Sequence, residues 1–490
     1  MEMNRRHALK TLAAGTAALA LPGCNRATYK PNVVFILVDD MGWKDLGCYG
    51  STFHETPHID ALAAGGVRFT DAYAASPVCS PTRASILSGR HPARVHITDW
   101  IPGNDPQNRL LLGPQDQHEL PLDELTLGEA FKEAGYATGY IGKWHLGDKG
   151  HYPEDQGFDV NIAGHHAGHP ASYFYPYKNK YGYYDVPDLS GGQAGEYLTE
   201  RLTDEAVGFI QKKKERPFFL YLSYYSVHTP IQPKPSLKEK YAAKKAGLGP
   251  SALPEYRQEH DAQTRLRQDH AGYAAMVESV DTGVGRVRAA LKSHGLDENT
   301  VIVFMSDNGG LSTVPHPGPA SVFPLRAGKG WVYEGGIRVP MIMHWPGQIH
   351  GGQSTDTPVM STDFYPTLLA LAGLPARPAQ HRDGVDLGPL LRGRAIDRDF
   401  LVWHYPHYHG SRHRPASAIR YGDWKLVYSY EAGQTELYNL AEDIEESHDL
   451  ASTHPEKAIE LRIKLMEWLK SVDAQMPVPN PKYDTEKRGA

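Results

Sequence analysis

The residue best suited to unusual chemistry is Cys79, which opens the run Cys-Ser-Pro-Thr-Arg at 79–83 and is one of only three cysteines in the chain. Proline is favoured in the first turn of a helix, and residues 84–88 can continue one, so the sequence predicts a helix that begins near residue 79. The free N–H groups and the dipole at such a start favour a negative group. Arg83, one turn further on, can reach back to the same point. We therefore predict an anion site at Cys79.

Two pairs of oxygen-bearing side chains follow apolar runs that are typical of buried strands. Asp39 and Asp40 come directly after the run 32–38, and Asp307 and Asn308 follow the run 301–305. Open α/β sheets bind ligands at the carboxyl ends of their strands. Carboxylate and amide oxygens suit a hard cation such as Ca²⁺ or Mg²⁺, without thiolate or imidazole ligands. The two pairs predict a metal site at this edge of a sheet.

Three further segments carry a cation or an imidazole in a glycine-rich loop or directly after a strand pattern. They are 142–147 (Gly-Lys-Trp-His-Leu-Gly), 226–230 (Ser-Val-His-Thr-Pro), and 325–330 (Leu-Arg-Ala-Gly-Lys-Gly) with its continuation 334–340. A lone histidine or lysine in any of these loops is more often a solvated surface residue. The occurrence of all three beside the cysteine and the oxygen pairs argues for one shared site.

With the two oxygen pairs counted as one motif, these five motifs lie within residues 32–340 in an order that resembles the type I (formylglycine-dependent) sulfatase family of the alkaline phosphatase superfamily. The match at Cys-x-Pro-x-Arg extends to Ser88-Gly89-Arg90. The resemblance implies a sulfuric ester hydrolase in which Cys79 is oxidised to 3-oxoalanine (formylglycine) and acts as the nucleophile. It also implies a partner that performs this oxidation, either a formylglycine-generating or an anaerobic maturation enzyme.

The resemblance assigns roles to matching positions of this chain. It implies a metal, Ca²⁺ with Mg²⁺ as the alternative, bound by Asp39, Asp40, Cys79, Asp307 and Asn308. It implies that Lys143 and Lys329 bind the sulfate and that Cys79, Arg83, His145 and His228 are catalytic. In the reaction it implies, one hydroxyl of the hydrated aldehyde attacks sulfur and His228 protonates the leaving oxygen. His145 then takes a proton from the other hydroxyl, so that sulfate leaves and the aldehyde is restored.

Strand and helix patterns alternate along the chain, which predicts an α/β sheet with helices on both faces. Strands are predicted at 32–38, 135–142, 217–223 and 301–305, and helices at 127–134 and 273–291. We expect a large, mostly parallel or mixed sheet flanked by helices, as in alkaline phosphatase and sulfatase folds, with a smaller C-terminal α+β domain that contains an antiparallel sheet. The segment 233–270 is charged and is predicted to form exposed helical pieces.

Four parts of the chain are predicted. Residues 1–24 form an export signal, 30–382 a catalytic domain, 383–476 a C-terminal α+β subdomain, and 477–490 a poorly ordered tail. In the subdomain we expect strands at 400–405, 418–420 and 424–430 and a helix at 454–473.

The N-terminal segment predicts export to the periplasm or the cell surface. Residues 4–10 resemble a twin-arginine signal, and the apolar stretch that follows is too short to span a bilayer. The run Leu-Pro-Gly-Cys at 21–24 resembles a lipobox, so a lipid anchor on Cys24 and ordinary cleavage after residues 18–20 are both open. Such an anchor would be the only contact with a membrane. The formal net charge of −6 provides no global basic field for nucleic acid.

The predicted substrate is a sulfated poly- or oligosaccharide, desulfated from a chain end. The histidine- and aromatic-rich stretch 403–414 can stack on a sugar or bind its hydroxyls and carboxylates. Candidate specificity residues are His316, His404, His407 and Arg412, with His165, His166 and His169 in another irregular loop. Two alternatives stay open: a phosphate or phosphonate monoester hydrolase of the same superfamily, and a non-catalytic glycan-binding protein on the same scaffold.

Overall fold

The structure is a computed structural model that describes residues 30–104, 106, 108–178, 186–316 and 318–484. Within these residues the strands are β1 (Asn32–Val38), β2 (Val67–Phe69), β3 (Ala72–Tyr73), β4 (Leu111–Leu112), β5 (Ala137–Gly142), β6 (Val160–Ile162), β7 (Phe218–Ser223), β8 (Tyr256–Glu259), β9 (Ala262–Arg265), β10 (Thr300–Ser306), β11 (Thr313–Val314), β12 (Met341–His344), β13 (Gln353–Thr355), β14 (Val359–Met360), β15 (Leu401–Tyr405), β16 (Ala416–Tyr421), β17 (Trp424–Ser429), β18 (Gln434–Asn439) and β19 (Val478–Pro479).

The helices are α1 (Pro57–Ala64), α2 (Cys79–Ser88), α3 (Pro92–Val95), α4 (Leu127–Glu133), α5 (Leu198–Lys213), α6 (Pro235–Ala246), α7 (Ala271–Ser293), α8 (Glu334–Ile337), α9 (Phe364–Leu371) and α10 (Pro455–Ser471). Shorter 3₁₀ helices cover Gly47–Tyr49, Pro153–Gln156, Asp297–Asn299, Ser361–Asp363 and Leu390–Arg392.

A mixed sheet of eight strands forms the centre of the molecule, in the order β13-β2-β12-β10-β1-β7-β5-β6. The neighbours β10, β1, β7 and β5 are mutually parallel, whereas β12 runs antiparallel to both β10 and β2. All seven residues of β1 are buried, as expected for a central strand that is covered on both faces.

Alternate residues of β1 enter two separate apolar cores. Val33, Phe35 and Leu37 pack with α2, α4 and α9, whereas Val34, Ile36 and Val38 pack with α1, α5 and α7. This alternation follows from the twofold period of strand side chains. The result is a layer of helices on each face of the sheet.

A second sheet, β15-β16-β17-β18, is antiparallel throughout. One face, which includes Val402 and Ile419, packs against α10. The opposite face, which includes Trp403 and Tyr405, packs against residues near the start of α2 and against Trp331. The C-terminal sheet therefore covers the region where Cys79 lies.

The predicted fold class is confirmed: a large mixed sheet is flanked by helices, with an antiparallel sheet towards the C-terminus. Two expectations about segments are corrected, and one strand of the C-terminal sheet is additional to those expected. The segment 233–270 forms α6 but then a hairpin of β8 and β9, β18 was not foreseen, and β19 pairs with β4 where a poorly ordered tail was expected. The division of the chain at residue 383 stays a prediction.

The predicted export signal and Cys24 lie outside the described residues, so export and lipidation stay predictions. In the described part of the chain, none of the helices combines the length and the apolar character needed to cross a membrane.

Candidate active site

The four parallel strands at the centre of the sheet end at the same level. Val38 of β1 lies opposite Ser306 of β10, and Ser223 of β7 lies opposite both Leu37 and Gly142. The loops that leave these four ends carry Asp39, Asp40, Lys143, His145, His228, Asp307 and Asn308. The predicted residues from four separate motifs therefore meet at one edge of the sheet.

Two of these residues have an unusual backbone conformation. Asp40 has a φ of 62° and His145 a φ of 59°, in the left-handed region that non-glycine residues rarely adopt. Hydrogen bonds hold both: the Asp40 N–H donates to Asp307 Oδ1 at 3.2 Å, and the His145 N–H donates to the carbonyl of His165 at 3.1 Å. Such strain concentrates at functional sites, because surrounding contacts must maintain it.

The four predicted strand-end metal ligands, Asp39, Asp40, Asp307 and Asn308, are called the ligand set below. Each is almost fully buried. Three of its oxygens, Asp39 Oδ1, Asp40 Oδ2 and Asn308 Oδ1, are buried without a hydrogen-bond partner. Asn308 uses its amide nitrogen to donate to Asp40 Oδ1 at 2.8 Å. Because buried oxygens without a partner are costly, this arrangement fits an oxygen-binding cation such as Ca²⁺ or Mg²⁺.

Asp307 differs from the rest of the ligand set because both of its oxygens already accept hydrogen bonds. A ring nitrogen of His228, in contrast, lies with carboxylate oxygens of Asp39 and Asp40 in a group whose atoms are all within 4.8 Å of one another, and Nε2 is 3.7 Å from Asp40 Oδ2. The sequence did not indicate an imidazole beside the metal site.

Three buried cations, Arg83, Lys143 and Lys329, face the ligand set and are called the cationic set. Arg83 donates to Asp307 Oδ2 at 3.0 and 2.7 Å, Lys143 Nζ lies 2.7 Å from Asp39 Oδ2, and Lys329 Nζ lies 2.6 Å from Asp40 Oδ1. Three positive charges thus balance the three carboxylates of the ligand set. An added divalent cation would give the site an excess of positive charge, which favours an anionic substrate.

The adjacent carboxylates have opposite pKa shifts. Burial, together with the nearby Asp307 carboxylate, raises the pKa of Asp39 well above its usual range. Burial acts in the same sense on Asp40, but Lys329 and His228 outweigh it and lower the pKa of that carboxyl. Asp40 is therefore held as an anion next to Lys329.

Cys79 is the first residue of α2, as predicted, and is 3% exposed. Its Sγ lies 3.2 Å from His145 Nδ1, and His145 Nε2 lies 2.5 Å from the carbonyl oxygen of Ile101. A carbonyl can only accept, so Nε2 carries the proton and Nδ1 is free to accept one from residue 79. Burial, reinforced by Lys143, holds the pKa of His145 well below its usual value, which keeps the ring neutral.

A cavity of about 540 Å³ opens above these groups. Among the predicted residues, Cys79, His145, His228 and Lys329 line it, and so do His166 and His169 of the irregular loop. Arg83 and Lys143 lie behind the lining, at 1% and 0% exposure, so they act on the cavity through charge and position.

Five of the seven predicted specificity residues do not line this cavity: His165, His316, His404, His407 and Arg412. His165 is buried, with Nδ1 3.0 Å from the Tyr225 hydroxyl. His404 shares a strand face with Val402, which packs towards α10, and its ring nitrogens lie 2.7 Å from Ser417 Oγ and 2.8 Å from the carbonyl of Gln475. His407 is buried, with Nε2 2.8 Å from Thr98 Oγ1. His316 is exposed and lies outside the lining.

Arg412 instead lines a neighbouring cavity of about 360 Å³.

Several residues that do line the cavity were not predicted. Trp100, Ile101, Pro102 and Leu311 form an apolar wall, and His409 reaches the cavity from the C-terminal part of the chain. Trp100, Ile101 and Pro102 lie in an irregular stretch of the chain whose sequence has no helical or strand periodicity. His409 lies within the stretch 403–414 that was singled out, but nothing in the sequence distinguished it from its histidine neighbours.

Comparisons with known proteins agree with this geometry. A sulfatase family model matches residues 31–374, and a model described as N-sulphoglucosamine sulphohydrolase, C-terminal, matches residues 327–475. The chain is 33% identical to a sulfatase of Formosa agariphila over 94% of both chains. It is 36% identical to the N-acetylgalactosamine-6-sulfatase of Rattus norvegicus, over 77% of this chain and 69% of that one.

Among solved structures, the fold is similar to that of Ps i-CgsB in complex with k-i-k-neocarrahexaose. The TM-score is 0.71 at 33% identity, over 93% of this chain and 96% of that one.

Proposed function

We propose, from the premise that this chain belongs to the sulfatase family and is a sulfuric ester hydrolase, that it removes sulfate from carbohydrates with Cys79 oxidised to formylglycine and with one bound Ca²⁺. Mg²⁺ is the alternative ion. One observation carries the proposal: the Cys79 side chain lies 3.2 Å from a neutral imidazole in a cavity backed by three buried oxygens that lack partners.

His145 is placed to accept a proton from residue 79. As formylglycine, that residue supplies a hydrated aldehyde, with one hydroxyl to attack sulfur and a second that can lose its proton. The contact of His145 Nε2 with Ile101 fixes both the tautomer and the ring orientation. His145 is therefore suited to the role of general base for the release of sulfate.

His228 is placed to protonate the leaving oxygen. Its Nδ1 lies 2.8 Å from the carbonyl of Thr229 and so carries the proton, while Nε2 lies 3.7 Å from Asp40 Oδ2. The ring lines the cavity and stacks on that of His169 at 5.8 Å. Burial and Lys329 hold the pKa of His228 well below its usual value, although Asp40 opposes them. Nε2 would therefore donate to the departing oxygen only after the ring has taken up a second proton beside Asp40.

Lys329 is the member of the cationic set that can touch the substrate directly, because it lines the cavity. Lys143 is fully buried against Asp39, and Arg83 fixes Asp307 and the Lys143 carbonyl. These two residues would orient the metal ligands and compensate the charge that develops on the sulfate oxygens.

A carbohydrate substrate is supported by the cavity and by the relatives. The apolar wall, which includes Trp100, offers a surface on which a sugar ring can stack, and His166, His169 and His409 offer polar contacts. One relative is named for N-acetylgalactosamine-6-sulfate, and a similar structure holds a neocarrahexaose. We therefore expect a sulfated glycan to be the substrate.

The burial of Cys79 limits when its thiol can be oxidised. At 3% exposure, beneath the apolar wall, the thiol is inaccessible to another protein in the folded chain. The maturation enzyme that we propose as a partner would therefore need to act before the fold closes.

The test is to produce the protein with a maturation enzyme and measure the mass of the peptide that contains residue 79. We expect the mass of 3-oxoalanine, together with hydrolysis of a small aryl sulfate and of N-acetylgalactosamine 6-sulfate or a sulfated neocarrahexaose. Cys79→Ser should lower turnover at least about a thousandfold, since it removes the nucleophile. Cys48→Ser is the matched control and should keep full activity, because Cys48 lies outside the cavity.

Three results would contradict the proposal. Undiminished activity of Cys79→Ser would refute the nucleophile. Turnover of phosphate monoesters but not of sulfate esters would favour the phosphatase alternative. Tight glycan binding without turnover by fully converted protein would favour a non-catalytic glycan-binding role.

A further inference from the structure

A second cavity adjoins the one above Cys79. It has a volume of about 360 Å³, and Arg109, Tyr408 and Arg412 are among the residues that line it. His409 lines both cavities and is the wall they share. A ligand that extends from the reacting sulfate past His409 would therefore enter the second cavity.

One tight turn places a side chain in each cavity. The Arg412 N–H donates to the carbonyl of His409 at 2.9 Å, and Arg412 has a φ of 74°, a left-handed conformation that is costly for arginine. The His409 ring is anchored to the same turn, with Nδ1 3.1 Å from the Ser411 N–H and 2.8 Å from its hydroxyl. The turn thus holds Arg412 at a set distance from the reacting centre.

The loop that carries Lys329 packs closely against this turn. A Cβ on Gly330 would lie 2.1 Å from His409 Nδ1, and Gly330 has a φ of 84°. Only glycine allows this approach without a shift of the ring. The position of the second cavity is therefore coupled to that of Lys329.

Two of the arginines that line the second cavity have no acidic partner among the described residues. In the described part of the chain, neither Arg109 nor Arg412 forms an ion pair, and Arg109 lies 5.9 Å from the centre of the Tyr408 ring. The two carboxylates that line this cavity both pair with Arg414 instead: Asp261 at 3.3 Å and Glu431 at 3.4 Å.

The histidines of this cavity add no positive charge near neutral pH. Burial and Lys329 lower the pKa of His409 to about 3, and burial lowers that of His413 well below its usual value. Among the described residues that line the cavity, three arginines against two carboxylates give one net positive charge, in a chain whose formal net charge is −6. This local excess matches an anionic ligand.

We propose that Arg109 and Arg412 form a second anion subsite, which binds a sulfate or carboxylate on a sugar other than the one that is desulfated. The proposal rests on the proposed glycan sulfatase function and narrows its substrate to an oligosaccharide that carries at least two anionic groups. Guanidinium groups suit both anions because they present paired N–H donors to planar or tetrahedral oxygens.

The kinetic test compares Arg412→Gln and Arg109→Gln with the wild type on three probes: an aryl sulfate, a sulfated neocarrahexaose and a uronate-containing galactosaminoglycan 6-sulfate tetrasaccharide. We expect KM for at least one oligosaccharide to rise about 10- to 100-fold, the range for one charge-assisted hydrogen bond. The kcat values and all constants for the aryl sulfate should stay unchanged. Arg462→Gln, at an exposed position on α10, is the matched control.

The two oligosaccharide probes distinguish whether the subsite binds a sulfate or a carboxylate. The neocarrahexaose has sulfate groups alone, whereas the tetrasaccharide also has carboxylates, so a KM effect confined to the tetrasaccharide would assign the subsite to a carboxylate. An unchanged KM for both oligosaccharides in both arginine variants would overturn the subsite, as would an equal loss on the aryl sulfate.

A binding measurement separates this proposal from the proposed function. Calorimetric titration of the Cys79→Ser protein with each oligosaccharide needs no turnover, and adding Arg412→Gln should weaken Kd about tenfold and reduce its salt dependence. Wild-type protein that hydrolyses aryl sulfate but no sulfated sugar would refute the glycan substrate. Normal oligosaccharide turnover and binding in both arginine variants would refute only the subsite.

Discussion

At the scale of single residues, each cation of the cationic set is paired with one carboxylate of the ligand set. Each lysine of the cationic set contacts one oxygen of a neighbouring carboxylate, and the second oxygen of Asp39 and of Asp40 is buried without a hydrogen-bond partner. A carboxylate in that state is costly unless a cation completes its surroundings. The unpaired oxygen of Asn308 lies in the same ligand set, so one ion could satisfy all three.

We predict that Ca²⁺ stabilises the metal-stripped protein through the ligand set. At a hundredfold excess over Kd, binding to the folded state alone adds about 2.7 kcal/mol to the free energy of unfolding. Asp39→Asn should remove most of this gain, because it replaces a charged ligand by a neutral one. Thermal unfolding with and without added Ca²⁺ measures the difference.

Asp423→Asn serves as the control, since Asp423 is exposed and far along the chain from the ligand set. It should keep the full Ca²⁺-dependent rise in Tm. If wild type and Asp39→Asn respond equally to Ca²⁺, the ion binds elsewhere. A rise with Mg²⁺ and none with Ca²⁺ would reassign the metal.

Most of the central site residues could be predicted because they follow strands whose apolar runs are visible in the sequence, whereas Cys79, Arg83 and Lys329 were predicted from their own motifs. His409 and Trp100 could not be predicted, since each lies in an irregular segment and reaches the cavity only through long-range packing. His404, which was predicted to contact the substrate, does not line the cavity, for a different reason. Its strand was recognised, but which face packs towards α10 depends on the partner helix, which sequence alone does not provide.

At the scale of elements, loops that pack closely on the strand-end residues complete the site. The loop after β6 passes so near His145 that a Cβ on Gly168 would lie 2.4 Å from Cε1 of the ring. The ring is also held between Cys79 and Ile101. This loop therefore acts as a positioning element for the proposed general base.

We predict that Gly168→Ala lowers kcat by about a hundredfold while the protein stays folded. The added methyl group must move the imidazole by roughly an ångström, and misplacement on that scale has about this effect on rate. Gly208→Ala in α5 is the matched control, because no atom lies within 4 Å of its new Cβ. It should keep full activity and gain about 0.5 to 1 kcal/mol of stability. Wild-type kcat in Gly168→Ala would show that the loop does not position His145.

The four central parallel strands of the main sheet were predicted, whereas its outer strands, the β8–β9 hairpin and β18 were not. Buried parallel strands such as β1 give continuous apolar runs. The hairpin instead contains exposed and charged residues, including Arg257 and Gln263, and its stability comes from pairing with β11. A polar strand of this kind resembles a loop until its partner is known.

At the scale of the whole molecule, a buried charge network joins the C-terminal sheet to the rest of the fold. Lys425 of β17 lies 2.8 Å from carboxylate oxygens of both Glu334 and Glu446, and all three are fully buried. Arg420 of β16 contacts Asp71 at 2.7 Å. Because this sheet leads into the turn of His409 and Arg412, the network also fixes one side of both cavities.

We predict that Lys425→Met destabilises the protein by about 3 to 5 kcal/mol near neutral pH, the usual effect of removing one partner of a buried ion pair. The loss arises because Glu446 is left without its lysine beside Glu334, which among the described residues keeps only the ion pair with Arg338 at 3.3 Å. Denaturant unfolding measures it, with Lys470→Met as the control at an exposed position on α10, where a change within about 0.5 kcal/mol is expected.

The raised pKa of Glu446 in this network predicts how the loss of stability in Lys425→Met depends on pH. Burial and the nearby Glu334 raise the pKa of Glu446 to about 7 even though Lys425 opposes them. An acid whose pKa is raised on folding binds more protons in the folded state, so its contribution to stability is present at low pH and is lost as pH rises through about 7. Without Lys425, protonation of Glu446 relieves the repulsion, so the difference between Lys425→Met and wild type should be smaller at pH 5 than at pH 8. A difference that is constant or larger at pH 5 would show that lost packing, not unpaired charge, is the cause.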